Sequence, residues 1–211
     1  SSCSLGTSAF IADFASGVTT MVFNYLIIDL VGNIGISAYG VIANYAIVVI
    51  AVFNGIAQGA QPLISDAYGR GERKAQITCF RLGMVSAVLF SVLGYAVTYM
   101  FTDVLVALFN SEKVEVLARY AEEGMRLYFL GFFFAGVNIF ACSYLSATEK
   151  AKTAFISSLL RGVVMIVICA IVLSSFWGMR GVWLAFPMAE LFTLLFVVSI
   201  VIISKRVTKQ K

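Results

Sequence analysis

Two acidic residues lie inside strongly apolar stretches of this chain, where a carboxylate must be stabilised by something other than lipid. Asp13 lies in the first stretch, and Glu190 lies near the middle of the last one. An ionisable side chain at the centre of a membrane costs roughly 2.5–3.5 kcal/mol on insertion scales, so such residues usually face a water-filled cavity or a paired charge. Both residues are therefore candidates for binding a cation or a proton.

Asp13 has polar neighbours at helical spacing. If successive residues are turned by about 100°, then Gly17, Thr20 and Asn24 share one stripe with Asp13. A carboxylate, a hydroxyl and an amide on one face can line a cavity that carries protons or binds a cation, such as Na⁺ near Asp13. The same small and polar side chains can instead hold membrane helices together by packing and hydrogen bonding, and the sequence leaves both interpretations open.

A second apolar stretch carries four amides on one side. Asn44, Asn54, Gln58 and Gln61 fall within an arc of about 100° on a helix. So many amides are unexpected on a surface that faces lipid, and they predict contact either with a ligand or with a neighbouring helix. The residues expected to line a substrate cavity are Thr20, Asn24, Asn44, Asn54, Gln58 and Asn138.

Glu190 follows Pro187 by three residues, so the two share one helix face. A proline frees a carbonyl one turn earlier, and a broken helix within a membrane usually lines a cavity. Glu190 is then either a protonatable coupling site or the buried partner of Arg161 or Arg81. The two arginines could also extend toward the membrane interface.

The elements that must position these residues are membrane helices. The 211 residues are 61% apolar and 12% charged, whereas soluble domains are about 45–50% apolar and about 25% charged. This composition excludes an ordinary cytosolic domain, a disordered chain and a secreted disulfide scaffold. The chain has no histidine, and its four cysteines form no CxxC pair, so nothing predicts an enzyme, a zinc site or a redox motif.

The predicted fold is an all-α integral membrane bundle of six helices that forms one lobe over residues 1–211. A helix needs about 20 mostly apolar residues to cross a bilayer. Stretches of that length are found at 8–31, 38–63, 76–101, 126–145, 153–176 and 181–203. Pro62 should kink or end the second helix, with a turn-rich loop over 65–71. Residues 102–126 are predicted to form an amphipathic connection at the outer surface.

Loop charges predict the orientation of the bundle. Basic residues are concentrated after the second stretch, after the fourth stretch and in the tail at 204–211. An excess of lysine and arginine marks cytoplasmic loops, so both ends of the chain are expected on the cytoplasmic side of a plasma or inner cell membrane. The same basic loops explain the net charge of +4 without a nucleic-acid partner.

Three motifs resemble the C-terminal half of transporters of the MATE (multidrug and toxic compound extrusion) family. The most specific one is similar to the family's Q-P-x-x-x-x-x-Y-G-x-G segment and comprises Gly55, Gln58, Gln61, Pro62, Tyr68, Gly69 and Gly71. The start of the second helix is similar to the family at Gly35, Ala38, Tyr39 and Gly40. A G-x-x-G-V-W pattern at the last helix comprises Gly178, Gly181, Val182 and Trp183, followed by Pro187 and Glu190. The likeness covers nearly the whole chain.

The resemblance implies a transporter of twelve helices in two six-helix halves, with an N-terminal half as the partner of this chain. The halves would rock to expose a central cavity to each side of the membrane in turn. Export of small organic cations, such as drugs, would be coupled to inward flow of Na⁺ or H⁺, with no other cofactor. Many members carry an acid in the first helix of this half, where Asp13 is the candidate, and another in the fourth helix, where this chain has only Asn138.

Three other functions compete with this interpretation. A lipid-linked oligosaccharide flippase of the same superfamily would need several cationic side chains for a diphosphate, and only Arg81 and Arg161 are available. A membrane-embedded enzyme is disfavoured because no nucleophile–base pair is evident. A non-transporting structural subunit is the third alternative, and a flux assay would distinguish it from a transporter.

Overall fold

The computed structural model of the protein describes residues 2–110, 114–149 and 151–209, with side chains at 17–110, 114–149 and 153–199. Within these ranges the regular secondary structure is helical. The α-helices are α1 (Ser2–Val31), α2 (Asn33–Gly69), α3 (Arg73–Met100), α4 (Thr102–Phe109), α5 (Glu115–Tyr128), α6 (Phe132–Ala147), α7 (Ala151–Leu159), α8 (Ile166–Trp177) and α9 (Met179–Lys209). A 3-10 turn, Phe129–Gly131, joins α5 to α6, and a π-helical turn, Leu160–Met165, joins α7 to α8.

Five helical segments of the described chain have the length and composition of membrane helices. They are α2, α3, α5 with α6 (Glu115–Ala147), α7 with α8 (Thr153–Trp177) and α9 (Met179–Ser199). A sixth long helix, α1, has 30 residues, and its described apolar part is the shorter segment Gly17–Val31. The predicted all-α, six-helix membrane bundle is therefore confirmed.

The second membrane helix runs further than the sequence predicts. Pro62 lies inside α2, which continues to Gly69, so the predicted loop over 65–71 is wrong for most of its length. A proline removes one backbone hydrogen bond and clashes with the preceding turn. The turns after Pro62 nevertheless stay helical, since Ile64 and Ala67 are buried against the bundle and their packing offsets that cost.

Residues 102–126 contain α4 and most of α5. Asn110 bridges the two helices, since its Oδ1 accepts a hydrogen bond from the Val114 nitrogen at 3.0 Å and its Nδ2 donates one to the Val114 oxygen at 3.0 Å. Ala121 and Met125 are fully buried on one face of α5, which then continues through the 3-10 turn into α6. The position of this segment at the outer surface stays a prediction, as does the cytoplasmic position of the tail at 204–211.

Glycines allow the last two membrane helices to pack closely at the start of α9. A Cβ atom on Gly181 would lie 1.9 Å from the backbone oxygen of Leu173, so only glycine fits this contact. Trp183 is fully buried and stacks on Tyr39 with 6.4 Å between ring centroids. Gly124 makes room for the indole, since a Cβ atom there would lie 2.9 Å from it. The G-x-x-G-V-W pattern therefore serves helix packing in this fold.

Candidate functional site: a polar cleft around a buried ion pair

A cleft of about 550 Å³ is lined by residues of α1, α2, α5, α6, α7, the π-helical turn, α8 and α9. Its lining mixes apolar side chains with hydroxyl groups. The hydroxyl-bearing residues of the lining are Thr19, Thr20, Tyr39, Tyr128, Ser146 and Ser158. Arg161 and Glu190 are the charged residues of the lining within the part of the chain that the structure describes.

Arg161 and Glu190 form an ion pair at the base of the cleft. The distance from Arg161 Nε to Glu190 Oε1 is 2.5 Å, and the side chains are 22% and 3% exposed. Asn138 donates through Nδ2 to Glu190 Oε2 at 2.7 Å and to the Glu190 backbone oxygen at 2.9 Å. Both carboxylate oxygens therefore have partners, as a buried carboxylate requires. Of the two arginines considered from the sequence, Arg161 is the partner, whereas Arg81 is exposed on α3.

The backbone around Arg161 is unusual. Arg161 lies in the π-helical turn, and π-helical turns are rare insertions that often accompany functional sites. The carbonyl oxygen of Gly162 in the same turn accepts a hydrogen bond from Thr19 Oγ1 of α1 at 2.9 Å. This bond fixes α1 to the segment that carries the guanidinium.

The elements that carry Glu190 and Asn138 approach each other closely. Gly131 lies against α9, where an added Cβ atom would come within 2.5 Å of Phe186 and 3.1 Å of the Pro187 backbone. Asn138 is completely buried, and its Oδ1 has no hydrogen-bond partner among the described residues. The amide therefore uses only its donors, and both of them serve Glu190.

The structure brings only some of the predicted cavity residues to the cleft. Thr20 lines it, and Asn138 lies beneath it in contact with Glu190. Asn24 is half-buried on α1 outside the lining. The predicted substrate role of these residues stays a prediction.

The amides of α2 point elsewhere. Asn44, Asn54 and Gln58 are exposed on the surface of this bundle and do not line the cleft. Gln61 is half-buried, and the motif's proline is exposed at position 62. Gly69 ends α2, and Gly71 has a φ of +71° in the following turn, which favours glycine.

The predicted coupling acid Asp13 falls within α1, but its side chain lies outside the described residues. Among the side chains that are described, no group of three or more His, Cys, Asp or Glu could hold a metal ion. The Na⁺ site considered near Asp13 therefore stays a prediction.

Sequence reasoning missed several lining residues. Tyr39 and Tyr128 contribute rings and hydroxyls to the cleft, as Thr19 and Ser158 contribute hydroxyls. Thr19 is adjacent to the predicted Thr20, and Tyr39 belongs to one of the motifs, so both carried a usable signal. Ser158 also carried one, because it lies three residues before Arg161 and so shares a helix face with it. Tyr128 carried none.

Long apolar helices packed around a cleft with a buried ion pair define an all-helical integral membrane protein. A sequence model of the MatE family matches residues 9–171, which is most of the chain. The chain belongs to the MATE family of transporters, and the resemblance predicted from its motifs is confirmed.

Solved structures agree with this assignment. An inward-facing multidrug resistance MATE family transporter of the MOP superfamily has a TM-score of 0.89 at 15% identity, with 98% of this chain and 48% of that chain covered. An outward-facing structure of such a transporter has a TM-score of 0.87 at 15% identity, with 98% and 46% covered. The chain spans less than half the length of these structures. At such identities the likeness concerns the fold alone.

A third structure is described as having a binding pocket of reversed polarity that suggests a different function. It is a MOP superfamily transporter from Pyrococcus furiosus, with a TM-score of 0.84 at 16% identity and coverage of 91% of this chain and 43% of that one. No curated protein matches the chain in sequence.

Proposed function

We propose that the chain is one half of a secondary active transporter that exports small organic cations by antiport against Na⁺ or H⁺. The observation that carries the proposal is the match of this one fold to half of an inward-facing and half of an outward-facing transporter, with TM-scores of 0.89 and 0.87. A half that fits both states equally well suits rigid-body rocking, in which the halves move against each other without refolding. The membrane would be the plasma or inner cell membrane, with both ends of this segment in the cytoplasm.

The exposed amides of α2 support a second helical half as the partner. Asn44, Asn54 and Gln58 are exposed on this bundle, although amides are poorly accommodated by hydrocarbon. Covering this surface with a second six-helix half, or with water in a cavity between the halves, removes that cost. The other partners in the proposal are the lipid bilayer and the transported cation.

In this proposal Asp13 couples the two flows. Its carboxylate binds either the ion or the cationic substrate, so the two compete for one site. Glu190 is poorly placed for this role, because its carboxylate is 3% exposed and is held by Arg161 and by Asn138. A cation would have to displace Arg161 to reach it. Asp13 lies on α1, the helix that also contributes Thr19 to the cleft.

The test is ion-driven transport by the complete protein in proteoliposomes, with ethidium as the cationic probe. Replacement of Asp13 by Asn should abolish the component of transport that depends on a Na⁺ or H⁺ gradient. Asp29→Asn is the matched control, since it changes the same residue type on the same helix at an exposed position and should leave transport intact. Normal gradient-driven transport by the D13N protein would remove Asp13 from the mechanism.

The flippase alternative receives little support from the cleft. A lipid diphosphate needs several cationic groups, whereas Arg161 is the cation of the described lining and Arg81 is exposed on another helix. Gradient-driven ethidium transport by the proteoliposomes would also exclude a purely structural subunit.

A further inference from the structure

The ion pair in the cleft presents its two charges unequally. Glu190 is 3% exposed and Arg161 is 22% exposed. Both carboxylate oxygens are occupied, one by Arg161 and the other by Asn138. The charge that remains accessible from the cleft is therefore the positive one.

The guanidinium of Arg161 has N–H donors that Glu190 does not use. Arginine carries five N–H donors in a planar fork, and Arg161 uses Nε for Glu190. Among the described residues, the Nη1 and Nη2 groups of Arg161 have no hydrogen-bond or ion-pair partner. A guanidinium can hold one carboxylate at Nε and a second one at the edge formed by Nη1 and Nη2, because these donors diverge in one plane.

We infer that the cleft binds the carboxylate of an amphiphilic organic acid through the Nη1–Nη2 edge of Arg161. Glu190 is then a positioning residue, which holds the guanidinium in one orientation from behind. Asn138 orients the Glu190 carboxylate in turn, as its hydrogen bonds to the side chain and backbone show. The bound acid replaces the water that would otherwise solvate the four Nη hydrogens.

The rest of the cleft suits the body of such a ligand. Its volume of about 550 Å³ is within the range of small-molecule sites, roughly 300–1,000 Å³, which are mostly apolar with a few polar groups. Phe155, Ile166 and Phe186 supply apolar surface, and Tyr39 and Tyr128 supply rings with a polar end. The inference thus adds carboxylic acids, including zwitterions, to the expected ligands and does not depend on the coupling ion or on the direction of transport.

The experiment uses three fluorescent probes that share a dansyl body and differ in the head group. Dansylglycine carries a carboxylate, dansylglycinamide is its neutral amide, and dansylethylenediamine carries an ammonium. Binding to the complete protein in detergent is followed by the rise in dansyl emission on entering an apolar site. Dansylglycine should bind about tenfold more tightly than the amide, as expected for a charge-assisted hydrogen-bonded pair. The ammonium probe can also bind at the cation site of the proposed function, so the comparison that tests the inference is the one between dansylglycine and its amide.

Two double variants separate the ion pair of the cleft from ion pairing in general. R161Q/E190Q removes both charges together and replaces them with neutral amides, and it should abolish the preference for dansylglycine. The matched control is R180Q/E123Q, because that pair has a similar Nε–Oε1 distance of 2.6 Å but side chains that are 73% and 35% exposed. The control should keep the native preference.

Arg161→Lys provides a second test if the double variant does not fold. Lysine keeps the charge but lacks the planar fork, so dansylglycine should bind about tenfold more weakly to this variant. The inference is overturned if the amide probe binds native protein as tightly as dansylglycine. It is also overturned if R161Q/E190Q or, where that variant fails to fold, R161K retains the native preference. Ethidium transport by the same preparation reports separately on the proposed antiport.

Discussion

The two members of the cleft ion pair should differ in how much each contributes to stability. Replacement of Arg161 by Gln leaves a carboxylate that is 3% exposed, with Asn138 as its remaining partner. Replacement of Glu190 by Gln leaves a guanidinium that is 22% exposed and can be solvated from the cleft. Because an uncompensated buried charge is the costly product, the arginine variant should be the less stable of the two.

The magnitudes follow from the burial of each group. Loss of one partner from a buried pair costs about 3–5 kcal/mol, and R161Q should lie in that range. E190Q should cost about 1–3 kcal/mol, since its orphaned charge reaches water and the new amide keeps one hydrogen bond. The double variant R161Q/E190Q buries no charge and should lie within about 2 kcal/mol of the native protein. The summed single effects should therefore exceed the double effect by about 2 kcal/mol or more.

The assay is reversible unfolding of the complete protein in mixed micelles by increasing the mole fraction of sodium dodecyl sulfate. The exposed pair Arg180–Glu123, with side chains 73% and 35% accessible, gives the reference cycle and should show a coupling energy of at most about 1 kcal/mol. The reasoning fails if E190Q destabilises the protein as much as R161Q does. It also fails if the two single effects add up to that of the double variant.

Three further outcomes can be measured by thermal unfolding in detergent. Gly181→Ala should destabilise the protein by about 3 kcal/mol or more, because the new Cβ atom would lie 1.9 Å from a backbone oxygen of α8. The control Gly55→Ala should be tolerated, since no atom lies within 4 Å of the new methyl group. Asn138→Ala should cost about 1–3 kcal/mol, since Glu190 then loses two buried hydrogen bonds; a midpoint equal to that of the native protein would contradict this. Thr19→Val should lower the free energy of unfolding by about 1 kcal/mol, because it removes the hydrogen bond to the Gly162 carbonyl. It should also speed amide hydrogen exchange in the π-helical turn. Unchanged exchange would show that the bond is dispensable.

The fold was largely predictable, because membrane helices are specified by the length of apolar runs. Every predicted stretch coincides with a helical rod of the structure. The end of α2 was not predictable in the same way. Proline propensity alone stops the helix near Pro62, whereas the buried side chains of Ile64 and Ala67 are tertiary contacts that a local pattern does not contain.

The candidate site was predictable only in part. The acid three residues after Pro187 made Glu190 a candidate from the sequence, and Arg161, one of its two expected partners, is the residue with which it pairs. Helical arithmetic also placed Asn44 and Gln58 on one side of α2, and both are exposed. A stripe of amides indicates that a surface avoids lipid, but it does not indicate whether the surface meets this bundle, a second half or water.

The sequence alone does not predict whether the cleft presents a positive or a negative charge. Counting acids inside apolar stretches favours a site for cations, since Asp13 and Glu190 are the conspicuous residues. Which charge faces the cleft depends instead on the relative depth of two side chains, and the π-helical turn at Leu160–Met165 helps to set that depth. One extra residue in a helical turn shifts the face of everything beyond it by about 100°. A regular helical wheel therefore places Ile166 about 140° away from Arg161, although both residues line the cleft. The backbone irregularity thus brings residues from both sides of the turn to the lining of one cleft, as the proposed carboxylate site requires.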